Sequence, residues 1–321
     1  MAHLVAFPGV DAAAPHLHGP VQAVRPFALP QRLRRVRFPG GYVLTPDPAS
    51  SDAEAARRPG PWTRLTHALI AASVFLLLPS GLQIFNAHPA LYTGEVSRFD
   101  SPWMEIGARE RGEAMQGYLR IGGREFDTTG VLGWSGPPGA AEKRAFPAWA
   151  TLPGYRSLAT GRNWHLAAAW GLGLGLTAYL IAGLAGGRLR RSLVPTRAML
   201  APRAVLADLA AHLTLRLPEA GGYNLLQRLA YLSVVVLVLP AMIVSGLAMS
   251  PAVHAAAPWT GDIFGGRQSA RSAHFLGACL LVLFIGAHLF MLLLHKPLRR
   301  LRGMTLGERE TRPRPLRAAP G

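Results

Sequence analysis

The 321-residue chain has one cysteine, Cys279, and 17 acidic residues against 34 basic ones. A lone cysteine closes no disulfide within the chain. No C-x-x-C-H run is present to attach a c-type haem, and no cysteine cluster can hold an iron–sulfur centre. Cys279 itself reads as a small buried apolar residue. The long apolar runs contain no Asp or Glu, so a proton relay through them would lack its usual acids. The first 60 residues contain no apolar run of the kind that heads a secretory signal, and no cleavable leader is expected.

What is abundant is hydrophobic sequence, 50% of the chain, with only 16% charged. A bilayer-spanning helix needs about 20 mostly apolar residues. Four segments qualify: 65–85, 164–185, 225–249 and 272–294. The net charge of +17 is spread around these spans. Eight basic residues precede the first span, six lie between the second and third, and eight follow the fourth. The 86–162 segment is nearly neutral, with nine basic and eight acidic residues. Lys and Arg gather on the side that is not translocated, which puts both termini in the cytoplasm and 86–162 outside. Basic residues that flank spans rather than form one patch argue against nucleic-acid binding. Residues 1–61, rich in Pro, Ala and Arg, read as a disordered basic segment able to touch anionic headgroups, and 304–321 as a similar cytoplasmic tail. The membrane domain is then 62–303.

The 86–162 segment is too long for a plain connection. Its GYLRIGGREFDTTGVLGWSG stretch predicts a short hairpin turning at Gly-Gly, and it carries Trp103, Trp134 and Trp149. It either docks a partner or packs as a cap on the helix ends. Spans one and three resemble each other: LLLPSGLQIF and LPAMIVSGLAM each place a Pro and a Ser-Gly-Leu near the outer end. Pro79 and Pro240 are expected to kink their helices. Gly81 and Gly246 remove bulk, which permits close helix packing or admits a flat ring.

The fourth span carries His274 and His288, fourteen residues apart. At about 100° per residue this falls about 40° short of four turns, so both lie on one face, about 21 Å apart along the axis. They cannot share one metal ion, but each can serve a separate layer. His67 opens the first span at the inner depth of His288, and His165 opens the second at the outer depth of His274. Intramembrane polar groups are by default functional, with a partner to be named. Two facing imidazoles per layer suit the two axial positions of haem b, whereas zinc wants three or four ligands at one depth. Arg64 beside the inner pair, and Arg162, Arg267 and Arg271 beside the outer pair, are candidates for haem propionates or are ordinary interfacial arginines. His88, His212, His254 and His295 have no assignable partner and are expected to be non-ligands, His295 snorkelling at the membrane edge.

At these residues the chain resembles the di-haem cytochrome b subunits of the nickel–iron hydrogenase and formate dehydrogenase type, a bacterial cytochrome b561-like group. It is most similar to the thiosulfate reductase cytochrome b branch. The resemblance runs from about Trp62 to Leu294 and rests on RLTHALI, SGLQIFNAHPALYTGE, GRNWHLAAAW, YNLLQRLAYLSVVVLVLPAMIVSGLAMSP and FGGRQSARSAHFLGACLLVLFIGAH. It implies two b haems, bound by His67 with His288 and by His165 with His274. It also implies quinone exchange and an outer-face partner, in this branch a periplasmic molybdopterin oxidoreductase. Ala68 stands after His67 where the group usually has Trp.

The expected fold is thus an all-α integral membrane bundle of four helices around haem b, with a long extracytoplasmic loop between helices 1 and 2. The expected function is electron transfer between the quinone pool and an extracytoplasmic oxidoreductase, in a bacterial inner membrane. Bond chemistry belongs to the partner. The rivals are a haem-free membrane anchor, a stand-alone quinone-linked cytochrome and a small transporter.

Overall fold

The computed structural model describes residues 33–38, 41–46, 60–214, 223–294 and 297–305. His3, His16, His18 and His295 lie outside the described residues. The chain divides into two units, Met1–Ala55 and Ala56–Gly321. In the first, β1 (Leu33–Phe38) pairs antiparallel with β2 (Gly41–Pro46), Leu33 opposite Pro46 and Phe38 opposite Gly41. These strands lie within 1–61, the segment whose composition reads as mostly disordered. LRRVRF and GYVLTP are rich in β-branched and aromatic residues that favour strands, a local signal that the basic, Pro-rich composition around them obscures.

The second unit contains four helices long and apolar enough to cross a membrane. The first is α1 (Pro61–Phe85), with Pro at its start, where a missing N–H costs nothing. α2 (Leu158–Ala185) begins at Ser157, whose hydroxyl accepts from the Thr160 N–H at 3.3 Å. Short helices α3 (Arg188–Leu193) and α4 (Pro202–Leu213) follow. The third span, Leu225–Ala248, is composite. α5 (Leu225–Ser233) passes into a π turn at Val234–Val238 and then α6 (Leu239–Ala248). Pro240 lies just beyond the π turn; it has no N–H to donate one turn back, a common cause of such widening. Pro79, by contrast, sits inside an unbroken helix. After α7 (Pro251–Ala256) and α8 (Trp259–Asp262) comes the fourth span, α9 (Arg267–Leu294), and then α10 (Pro297–Thr305).

The bundle has a thin core of Leu172, Leu176, Leu239 and Leu281, flanked by Ile70, Val238 and Met242. Phe75, Trp170 and Leu283 face outward and exposed, as expected where lipid replaces water and outward burial gains nothing. Small residues let α1 and α2 approach closely: a Cβ on Gly171 would lie 2.6 Å from Ser73 Oγ.

Between α1 and α2 the chain folds into a strand-containing cap. β3 (Ala90–Leu91), β4 (Met104–Arg111), β5 (Ala114–Ile121) and β6 (Arg124–Asp127) form one antiparallel sheet in that order. β7 (Gly133–Ser135) and β8 (Glu142–Arg144) form a second. The β5–β6 hairpin turns at Gly122 and Gly123, both with positive φ (53° and 82°), at the predicted Gly-Gly. Leu91, Met104, Ile106 and Ala145 bury together with Phe85 at the end of α1. Phe85 stacks on Phe275 of α9 with ring centres 4.7 Å apart.

The cap is fastened to α9 by two of the stretches that carried the resemblance. Gly94 accepts from the backbone N–H groups of Gln268 (2.9 Å) and Ser269 (3.2 Å), and Ser269 Oγ accepts from Gly94 N–H at 2.8 Å. Glu95 accepts from the Arg267 N–H at 2.9 Å, so the start of α9 is capped from the loop. Gly266 is required here, since a Cβ would lie 2.5 Å from the Gly94 carbonyl. Trp103 donates to Ser272 Oγ (3.0 Å), while Trp149 is 85% exposed.

Candidate functional site

The arrangement of α1, α2, α6 and α9 brings His165 and His274 together, with ring centres 6.1 Å apart and planes at 61°. Each ring lies against a Ser-Gly pair of the preceding span. His165 Nδ1 lies 3.1 Å from Ser80 Oγ, and a Cβ on Gly81 would meet its Cε1 at 3.3 Å. His274 Nδ1 lies 3.0 Å from Ser245 Oγ, and a Cβ on Gly246 would meet its Cε1 at 3.5 Å. Of the two roles open to these glycines, they admit a ring, and that ring is an imidazole. The repeated Ser-Gly-Leu is visible in the sequence; its target is not, because nothing local says which helix lies opposite.

Hydrogen-bond bookkeeping fixes the tautomers. Ser80 Oγ donates its one proton to the Leu76 carbonyl at 2.6 Å, and Ser245 Oγ donates to the Ala241 carbonyl at 2.7 Å. Each hydroxyl can therefore only accept from its histidine, so Nδ1 carries the proton and Nε2 keeps its lone pair.

The other pair is at the far end of the bundle. His67 lies within electrostatic range of His288. His288 stacks on Phe284 with ring centres 5.7 Å apart, and its Nδ1 makes a long 3.5 Å contact with Tyr231 Oη. His67 is an exposed residue.

The four arginines have different settings. Arg64 is one turn before His67, and its Nε is buried with no hydrogen-bond partner among the described residues. Arg162 is exposed, three residues before His165. Arg267 donates to the Met249 carbonyl at 3.3 Å. Arg271 donates to the carbonyls of Ala90 (2.8 Å) and His88 and lies over the Phe85 ring, so its position ties the cap to the bundle.

Of the histidines expected not to ligate, His212 Nδ1 lies 2.7 Å from the Asp208 carbonyl oxygen. His88 packs between Tyr92 and Phe99 in the cap, where burial and, secondarily, Arg271 hold its pKa below the usual value. His254 is in α7. Sequence reasoning missed Arg144. Its side chain is 1% exposed and donates to Glu142, Gly154, Gln83, Thr151 and the Phe146 carbonyl, joining both ends of the cap to α1.

Four helices long and apolar enough to cross a bilayer, with histidines set along them, define a multi-pass membrane protein. Residues 58–307 match the family described as prokaryotic cytochrome b561, and the chain belongs to that family. It is accordingly a membrane electron-transfer protein whose cofactor is haem b. The chain is also 28% identical, over 236 residues, to the "Putative protein-methionine-sulfoxide reductase subunit YedZ1" of Azospira oryzae, covering 73% of this chain and 89% of that one. No solved structure matches the chain.

The residues present fit a haem. An ion bonded at about 2 Å to a nitrogen of each of two imidazoles leaves the ring centres roughly 6 Å apart, and the His165 and His274 rings are 6.1 Å apart. Both rings present the tautomer with a free Nε2, and Gly81 and Gly246 keep side-chain bulk away from them.

Proposed function

We propose that this chain binds two b haems, one between His165 and His274 on the cap side and one between His67 and His288 at the far end. The observation that carries this reading is the His165–His274 spacing of 6.1 Å, with both Nδ1 atoms engaged by serines. Arg64, with its buried Nε, is the best placed of the four arginines to meet a propionate. Haem supplies one-electron chemistry, and the chain supplies ligation, orientation and a low dielectric. Electrons pass between a quinone, at the far pair, and an extracytoplasmic oxidoreductase that docks on the cap side. The resemblance points to a molybdopterin enzyme as that partner, and the name of the Azospira relative points to oxidised methionine as its substrate. The membrane is the bacterial inner membrane, with both termini cytoplasmic and the cap outside.

The test is a reduced-minus-oxidised spectrum of the purified protein, with pyridine haemochrome quantitation per chain. Two b haems are expected, falling to one in His165→Ala and to none in His274→Ala/His288→Ala. Well-folded protein from haem-replete cells that contains no haem would overturn the reading in favour of a haem-free membrane anchor.

A further inference from the structure

We propose that Ser80 and Ser245 are positioning residues for the cap-side haem alone, setting the strength of its two axial ligands by holding both imidazoles as acceptor-bonded Nδ1–H tautomers. This inference rests on the assignment of His165 and His274 as haem ligands. Three observations carry it.

First, the device occurs twice, on different helices. Ser80 in α1 faces His165 in α2, and Ser245 in α6 faces His274 in α9. Second, both hydroxyls are almost completely buried, 0% and 1% exposed, and both have already given their proton to the carbonyl one turn back. A buried serine needs only that carbonyl to be satisfied. The imidazole contact is additional and runs from histidine to serine, beside the backbone carbonyls of Leu77 for His165 and Met242 for His274, which face the same rings. Third, the far pair differs. His288 Nδ1 meets Tyr231 Oη at 3.5 Å, on the limit of a hydrogen bond.

An acceptor on the outer nitrogen of a ligating histidine fixes ring orientation and raises ligand basicity, and its loss commonly costs roughly 10–100-fold in metal affinity. A more basic imidazole favours the ferric state and so lowers the reduction potential. The two serines therefore hold the cap-side haem tightly and at a lower potential than it would otherwise have. They leave the far haem untouched.

The experiment compares wild type with Ser80→Ala, Ser245→Ala and the double variant, and with Ser80→Thr and Ser245→Thr, which keep a hydroxyl. The measurements are a redox titration resolving both haems and the rate of haem transfer to apomyoglobin. In the alanine variants the cap-side haem should titrate at higher potential and leave about tenfold faster. The far haem should be unchanged, which also reports an intact fold, and the threonine variants should behave as wild type. An unchanged cap-side potential and loss rate in the double alanine variant would overturn the role of the serines. So would threonine variants as perturbed as the alanine ones, since then packing rather than the hydroxyl matters. Retention of both haems by His165→Ala would instead overturn the ligand assignment beneath it.

Discussion

Gly81 and Gly246 approach the imidazoles by different margins, and the difference is testable. A Cβ at 81 would sit 3.3 Å from Cε1 of His165, tight enough that the ring must shift. At 246 the corresponding distance to His274 is 3.5 Å, an ordinary contact. Gly81→Ala is expected to lower cap-side haem content, Gly246→Ala to leave it near wild type and Gly246→Leu to abolish it, as read by haem per chain after purification. In the cap, Asp127 carries a second residue-scale prediction. The Thr129 hydroxyl (2.6 Å), the Thr129 N–H (2.9 Å) and the Gln116 amide (2.8 Å) donate to its carboxylate and hold its pKa at about 2. Because the folded value lies below the ordinary Asp value of about 3.9, the stabilisation is complete above that pH and is lost as pH falls through about 2. Tryptophan fluorescence during acid titration should show wild type losing stability across that window, and Asp127→Asn should show a flatter dependence there. The approach of His165 to His274 was legible in the sequence, because the charge-based topology puts the starts of the second and fourth spans at one depth. Ser80 and Ser245 were legible only as a repeat, since a hydroxyl acquires its role from a helix that is 85 or 29 residues away in sequence.

Among the elements, the four spans stood out because a run of about 20 apolar residues is rarely anything but a bilayer crossing. The start of α9 did not: GGRQSAR is polar, and it is helical only because Gly94 and Glu95 satisfy its first N–H groups from across the bundle. The Gly-Gly hairpin was readable from its turn chemistry. The β4–β5 hairpin was not, because MEIGARERGEAMQ alternates charge as much as hydrophobicity and reads as solvated loop. Arg144 looked like any surface arginine in EKR, yet its guanidinium fastens β8 to α1 and to the segment entering α2. Arg144→Met removes a buried charge and leaves five acceptors to find other donors. A loss of about 1–3 kcal/mol is expected from the buried acceptors left without a donor, since Glu142 is 44% exposed and returns to water, and for a domain of this size this lowers Tm by roughly 5 °C. Arg144→Lys should recover only part of it, because a point charge cannot span a planar fork of acceptors. Thermal unfolding in detergent measures both, and a Tm essentially equal to that of wild type for Arg144→Met would show that the cap does not depend on this link.

At the scale of the whole molecule, the two histidine pairs divide the bundle into a guarded end and an open one. The cap covers the His165–His274 layer, through Phe85, Arg271 and the Gly94–Ser269 joint. The far layer has an exposed His67. A hydrophobic quinone arriving from the bilayer reaches an open layer more easily than a capped one. On the proposed reading, a partner protein meets the cap, where Trp149 stands exposed. The proposed function then predicts that electrons use the layers in a fixed order, and single-layer variants test that order. In membranes treated with a quinol, His165→Ala should retain one haem and reduce it at close to the wild-type rate, because quinone entry is intact. His67→Ala should also retain one haem, but quinol should reduce it far more slowly, because the entry layer is gone. Stopped-flow absorbance in the α band distinguishes the two. Rapid quinol reduction in His67→Ala, with slow reduction in His165→Ala, would place quinone exchange beneath the cap and reverse the order of the layers.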